Sequence, residues 1–296
     1  MNPGLLRLTG HHKDLGGGFT VRRLLPALQC RSVGPFIFFD HFGPVTVEPS
    51  AEYDVRPHPH IGLATVSYLF EGAIMHRDSL GSVQQIEPGA INWMTAGRGI
   101  VHSERRPESL AASTYVNHGI QLWTALPLAH EETAPTFVHT PARDIPVVEA
   151  QGSRVRVLIG EAFGQVSPVA TLSPTLYLDV QLERGARWEL PPLAQEMAVY
   201  TVSGALALDG EPIAEHTLAT LRPGEATALE ATGDSGARCM VIGGDALDAP
   251  RQMWWNFVSS RKDRIVQAAQ DWEDQAMGQV PGETEWIPLP ERRFKP

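Results

Sequence analysis

The sequence predicts an all-β protein built from two barrel- or sandwich-like domains. Three observations carry this expectation. Short apolar runs recur along most of the chain and are bounded by Gly and Pro, the pattern of strands joined by tight turns. The 296 residues are many for a single core and suit two domains of about 100–150 residues each. The second half also repeats features of the first at a nearly constant offset, which suggests a duplicated unit.

In chain order, residues 19–25 and 36–42 are apolar runs separated by Gly34-Pro35, and both read as strands. Residues 64–70 follow, then a Glu71-Gly72 turn and a run over 73–76. After Gly81 a strand reaches Ile86, and Pro88-Gly89 turns the chain into residues 90–94. The glycine-rich turn Ala96-Gly97-Arg98-Gly99 precedes a strand over 100–104, and 119–124 reads as another. The pattern loosens over 125–153, where Pro127, Pro135, Pro141 and Pro146 mark a connector. Strands resume at 154–160 and continue through 175–181, 197–202, 205–208, 217–221 and 238–243. Domains over 1–140 and 146–296 follow from this division. Ser203-Gly204 stands to the second half as Glu71-Gly72 to the first, and Pro223-Gly224 as Pro88-Gly89, at offsets of 132 and 135. Beyond them, Ile265, Ala268, Ala269, Trp272 and Ala276 recur at helical spacing. That predicts an amphipathic helix over 262–277, packed on the second barrel, with Ser260 and Asp263 as its capping pair. The tail after Gly278 is expected to lie extended over the surface.

Composition narrows the function classes. Apolar residues make up 43% and charged residues 20%, as in soluble globular proteins. The net charge is −10 and basic residues do not cluster beyond short pairs such as Arg22-Arg23, Arg105-Arg106 and Arg292-Arg293, so no footprint for direct nucleic-acid binding is present. Nothing resembles a signal peptide or a membrane span. The two cysteines, Cys30 and Cys239, form neither a disulfide framework nor a Cys-x-x-Cys motif. A monomer in the reducing cytoplasm is the expectation, with both thiols reduced and quiet.

One constellation points to chemistry. His58-Pro59-His60 and His102-Ser103-Glu104 are two pairs of ligand-type residues at i, i+2. Alternate residues of a strand share a face, so each pair can aim at one point. Three imidazoles and one carboxylate suit one divalent transition metal ion: iron, but also Mn, Co, Ni, Cu or Zn. The absence of thiolates argues against a structural zinc. Four ligands on an octahedral ion leave two positions open. The remaining histidines read as surface residues or satisfied partners, with His41 and His76 as candidates for supporting roles behind the ligands.

The quoted segments resemble the pirin family of bicupins. The resemblance is carried by His58-Pro59-His60-x-Gly62, by the run from Phe70-Glu71-Gly72 to His76-Arg77-Asp78-Ser79, and by Gly119-Ile120-Gln121-Leu122-Trp123. The continuous segment from Asn92-Trp93-Met94-Thr95 through Gly97-Arg98-Gly99 to His102-Ser103-Glu104 is its most specific part. The similarity is dense over residues 35–125 and weaker to about residue 277. It implies two cupin jelly-roll barrels in one chain with a short C-terminal helix. A metal, usually iron, would lie in the first barrel on His58, His60, His102 and Glu104. Asp40 and Gln121 match positions near the metal and would line the pocket mouth. Ala64 departs from the family, where many members carry Glu. Counting from the matched turns puts Leu190 and Pro192 at the places of His58 and His60, and Ala237 and Cys239 at those of His102 and Glu104. The second barrel would then be structural. For function, the resemblance implies a quercetin 2,3-dioxygenase-type enzyme, cleaving flavonols or related enols with O2, with Glu104 as catalytic base. The other implied role is a non-enzymatic, redox-sensitive regulator that binds transcription factors or metabolic enzymes through a metal-biased surface.

Overall fold

The computed structural model describes residues 5–15, 19–150 and 152–294. The described chain divides into two compact units, each assembled from separate stretches of sequence. One holds the described part of Met1–His11 with Arg23–Phe39 and Arg143–Ala246; the other holds His12–Arg22, Asp40–Ala142 and the described part of Leu247–Pro296. Each is built on a jelly-roll barrel of a seven-stranded and a four-stranded antiparallel sheet. Among the described residues, no helix is long and apolar enough to cross a membrane.

In the first barrel, the four-stranded sheet runs Val55–His60, Ile100–Arg105, Ile74–Asp78, Val83–Ile86. The seven-stranded sheet runs Thr136–Thr140, Ile91–Thr95, Leu63–Glu71, Tyr115–Ala125, Phe36–Val47, Thr20–Leu25, His11–Asp14. In the second barrel, Arg187–Leu190, Thr227–Ala231, Leu206–Leu208 and Glu211–Ile213 take the four-stranded places. Its larger sheet runs Arg7–Leu8, Leu218–Thr220, Glu196–Ser203, Ala237–Gly244, Thr175–Leu182, Ser153–Ile159, Val147–Ala150. The strand order is therefore the same in both barrels, with Arg7–Leu8 occupying the edge that Thr136–Thr140 takes in the first. Thr136–Thr140 itself lies in the expected connector and pairs with Ile91–Thr95.

The ladders correct the sequence-based alignment of the two halves. Glu71-Gly72 and Ser203-Gly204 do correspond, since each closes the strand that leads into the small sheet. Pro88-Gly89 and Pro223-Gly224 do not. Pro88-Gly89 lies before Ile91–Thr95, whose counterpart is Leu218–Thr220, and the turn before that strand is Glu215-His216. Gly89 has φ 81° and His216 has φ 59°, so a histidine takes the left-handed position of a glycine. Pro223-Gly224 instead replaces the Gly97-Arg98 turn. The counterpart of Ile100–Arg105 is thus Thr227–Ala231, and Ala237–Gly244 corresponds to Tyr115–Ala125.

The C-terminal region also differs from expectation. The helix spans Lys262–Glu273 and buries Ile265, Ala268 and Trp272. These pack with Ile61, Val101, Phe257 and Val280, so the helix belongs with the first barrel and not the second. Helical periodicity states which face is buried but not what covers it. The expected capping pair does not form. Arg261 occupies the N-cap without a side-chain bond, and Ser260 Oγ donates to Glu131 Oε2 at 2.8 Å. Glu131 is buried and also ion-pairs with Arg251 at 2.7 Å, which holds the returning chain to the first barrel. The tail after Gly278 has no regular structure, yet it is docked: Val280 is buried and Ile287 N–H donates to Pro57 O at 2.8 Å.

Candidate metal centre

The site is built where Val55–His60 pairs with Ile100–Arg105. His102 stands opposite His58 in this ladder, and Ile100 opposite His60. Two features let the strands run there. Gly62, at φ 68°, passes so close to the chain that a Cβ would meet Val258 O at 1.9 Å. Gly97, at φ 52°, makes the turn before Ile100–Arg105, and a Cβ there would meet Thr133 O at 2.0 Å. Both glycines fall in the motifs that carried the sequence resemblance, and close backbone approach is the physical reason for them.

One ligating nitrogen from each of His58, His60 and His102 lies within 4.8 Å of the others, and all three side chains are buried. Each has its other nitrogen engaged. His58 Nδ1 bonds Arg56 O at 2.8 Å, and His60 Nδ1 bonds Asn256 O at 3.3 Å. His102 Nδ1 meets His76 Nδ1 at 3.4 Å. Behind it, His76 Nε2 bonds Asp78 Oδ2 at 2.9 Å, and its ring stacks on Phe137 at 4.1 Å. Nε2 of all three imidazoles is thereby left for a common ligand. His102 Nε2 is buried with no hydrogen-bond partner, a costly state that a metal ion would relieve. The residues present therefore fit a transition metal ion.

Burial pushes the His58 imidazole down to about 4, against the bond to Arg56 O that raises it. Burial and the neighbouring imidazoles likewise hold His60 and His102 well below the ordinary histidine range. The three are neutral near pH 7, the state a metal requires.

Glu104, the fourth expected ligand, lies outside the 4.8 Å group. It follows His102 across a register irregularity in the ladder to Val55–His60. Its Oε1 accepts from Gln121 Nε2 at 3.4 Å, and Gln121 Oε1 accepts from Ser67 Oγ at 2.6 Å. Burial pushes the carboxyl up to about 7, while the bonds from Gln121 and Ser67 pull it down. A nearby cation would favour the ionised carboxylate. Gln121 therefore stands beside Glu104. Asp40 is buried in Phe36–Val47, one strand beyond Gln121 in the sheet order. His41, the other candidate for a supporting role, pairs instead with His118 at 2.8 Å.

Three contributors escape a reading of the sequence. Asp78 is visible there only as part of a motif. Asn256 O and Glu283 come from the returning C-terminal chain. Glu283 accepts from Ser103 Oγ at 2.5 Å and pairs with Arg105 Nη2 at 2.5 Å, gripping the strand that carries His102. Alternation could have raised Asp78, two residues after His76, but no local signal marks the other two.

In the second barrel the corrected register sets Thr227 opposite Leu190, as His102 is opposite His58. Leu229 opposes Leu208, as Glu104 opposes His76. The places of His58, His102 and Glu104 thus hold Leu190, Thr227 and Leu229, not the Ala237 and Cys239 expected for the last two. Leu190, Leu208 and Leu229 join a continuous apolar cluster with Trp188, Val199 and Val241.

Comparison with known proteins agrees with this architecture. The Pirin family model matches residues 18–124, and the model of the Pirin C-terminal cupin domain matches 177–278. A "Pirin-like protein" of Caulobacter vibrioides is 46% identical over 285 residues, covering 94% of this chain and 96% of its own. "Pirin" of Mus musculus is 34% identical over 92% of this chain and 93% of its own. A crystal structure of quercetin 2,3-dioxygenase from Acinetobacter baumannii superposes with a TM-score of 0.90 at 33% identity, covering 99% of this chain and 96% of that one. Two family domains in order, and near full-length similarity to proteins of that name, establish that the chain belongs to the pirin family of bicupins.

Proposed function

We propose that the chain is a metal-dependent dioxygenase acting on flavonols or related enols, of the quercetin 2,3-dioxygenase type. The observation that carries the reading is the convergence of three buried, neutral imidazoles on one point, with His102 Nε2 left unpartnered. The Acinetobacter baumannii structure of that name supports it as a relative. A transition ion held by His58, His60, His102 and Glu104, iron foremost, supplies Lewis-acid activation of an enol hydroxyl and redox chemistry with O2.

The chain's own residues do the rest. Glu104 takes the hydroxyl proton on a carboxylate oxygen. The Ser67–Gln121 pair orients that carboxylate through the bond at 3.4 Å. Asp40 and Gln121 line the mouth through which substrate enters. Trp123, with its ring 5.1 Å from that of His60, forms part of the apolar wall that keeps water from the reacting centre.

The test is anaerobic addition of quercetin to the metal-loaded protein, followed by O2. The reading predicts loss of the flavonol spectrum and release of carbon monoxide. No carbon monoxide with iron, manganese, nickel or copper would overturn it and leave the metal-biased regulator as the better reading.

A further inference from the structure

We propose that His76 and Asp78 are positioning residues that fix the tautomer of His102, so that its Nε2 is always the atom offered to the metal. This rests on reading the three histidines as a metal site.

The chain of hydrogen bonds determines where each proton sits. Asp78 is fully buried at the end of Ile74–Asp78, where the chain turns. Its Oδ1 accepts from the amides of Leu80 at 2.9 Å and Ser82 at 3.0 Å, so the carboxylate cannot rotate freely. Its Oδ2 faces His76 Nε2 at 2.9 Å and is an acceptor, so His76 carries its proton on Nε2. In the neutral ring, His76 Nδ1 is then a lone pair. It faces His102 Nδ1 at 3.4 Å, which must be the N–H of that contact. His102 Nε2 is left as a lone pair, buried and unpartnered, on the side where His58 and His60 converge. Backbone carbonyls set the tautomer of the other two imidazoles. His102 has no such carbonyl, and the buried pair does for it what Arg56 O and Asn256 O do for them. Stacking on Phe137, with the rings 9° from parallel, holds the His76 plane in line.

Replacing Asp78 by Asn gives the sharpest test because the turn dictates how the amide lies. The two turn amides keep its oxygen, so its NH2 faces His76 Nε2. His76 must then carry its proton on Nδ1, directed at His102 Nδ1. Two donors would face each other, and His102 is driven to the tautomer that protonates its metal-binding nitrogen. Outer partners of metal-bound histidines typically contribute about 10–100-fold in affinity. Asp78→Asn and His76→Phe should therefore raise the dissociation constant for Co(II) about 10–100-fold. His76→Asn, which can offer a carbonyl near the position of Nδ1, should recover most of the affinity. If Asp78→Asn fails to fold, the two His76 variants decide the matter, since they leave the Asp78 turn intact.

A second readout needs no metal. Imidazole 15N NMR of the full-length apoprotein should show His76 protonated at Nε2 and His102 at Nδ1. Protonation of apo His102 at Nε2, or unchanged Co(II) affinity in both Asp78→Asn and His76→Phe, would overturn the proposal while leaving the metal site standing. A wild type that binds no Co(II), yet shows the stated tautomers, would instead overturn the metal reading and leave the relay in place.

Discussion

In the first barrel, the ladder joining Ile100–Arg105 to Val55–His60 sets His102 opposite His58; in the second, the equivalent ladder sets Thr227 opposite Leu190. The strand order around both is the same. What differs is how each interior satisfies itself. The second barrel fills the space with Leu, Val and Trp side chains, and burial of apolar surface stabilises it without further help. The first carries three buried imidazoles, each anchored by an outer partner, and leaves one buried nitrogen without any. A fold supplies a place for a site, while the side chains decide whether chemistry occurs there. The difference also shows in what surrounds each barrel. The helix and tail of the C-terminal region pack on the barrel with the imidazoles, holding both ligand-bearing strands through Pro57, Ser103 and Arg105.

The largest expected effect removes a ligand. His58→Ala should bring the metal content of the purified protein from one ion per chain to almost none, measured by elemental analysis on equal preparations. Full loading of that variant would erase the contrast between the barrels.

Next in size is the carboxylate. Glu104→Gln keeps a coordinating oxygen but cannot accept a proton. Flavonol turnover per bound metal should fall about 10²–10⁴-fold, the usual contribution of a general base. Turnover that is unchanged per metal would remove Glu104 from proton transfer.

The reverse experiment grafts the first barrel onto the second. Leu190→His with Thr227→His places two imidazoles at the sites equivalent to His58 and His102 but supplies none of their outer partners. Burying them unpaired should lower the unfolding free energy by about 2–5 kcal/mol, and no second ion should bind. Chemical denaturation and metal analysis read both outcomes. A stable double variant with two ions per chain would mean that outer partners are dispensable.

Acid should separate the barrels in the metal-free protein. The folded imidazoles of His58, His60 and His102 are held below the ordinary value of 6.5, His58 at about 4. As pH falls below 6.5 the unfolded chain binds protons that the folded one refuses, so stability is lost on acidification and regained on raising the pH. Each imidazole contributes a slope of about 1.4 kcal/mol per pH unit, and Glu104, raised to about 7 by burial, holds a proton in the folded state over the same range and offsets about one of the three. Denaturant midpoints between pH 6.5 and 4.5 should follow the net slope, with a shallower slope in His58→Leu. Identical slopes would mean that His58 is not buried neutral.

The smallest effect concerns the tail. Glu283→Ala leaves Ser103 and Arg105 without their shared acceptor and should cost about 1–3 kcal/mol in stability. Thermal unfolding measures it, and no shift would show that the tail is not held there.

Much of this is legible in the sequence because strands impose a period of two. Spacing by itself puts His58 with His60 on one face of a strand; it puts Glu104 with His102 as well, but the ladder shifts register between those two and Glu104 lies outside the three-histidine group. Most expected strands lie within a residue or two of those observed. The turns are less legible, because Pro-Gly marks a turn without saying which one. His216 takes the left-handed place of Gly89 despite its side chain, so the true match is hidden and Pro223-Gly224 stands out in its stead. The partner of the C-terminal helix is illegible for another reason: its period specifies a buried face, whereas Ile61 and Val101 lie far earlier in the chain. Asp78 acts on His102 only through His76, a relation that depends on strand pairing and not on spacing alone.

We propose that one transition ion sits in the first barrel on the Nε2 atoms of His58, His60 and His102, with Glu104 as the fourth ligand. Anomalous diffraction from crystals of the metal-loaded protein, collected at the absorption edge of that metal, tests it most directly. One strong peak per chain is expected at about 2.0–2.2 Å from the three Nε2 atoms and the Glu104 carboxylate. A peak among Leu190, Thr227 and Leu229, or none at the three imidazoles, would contradict it.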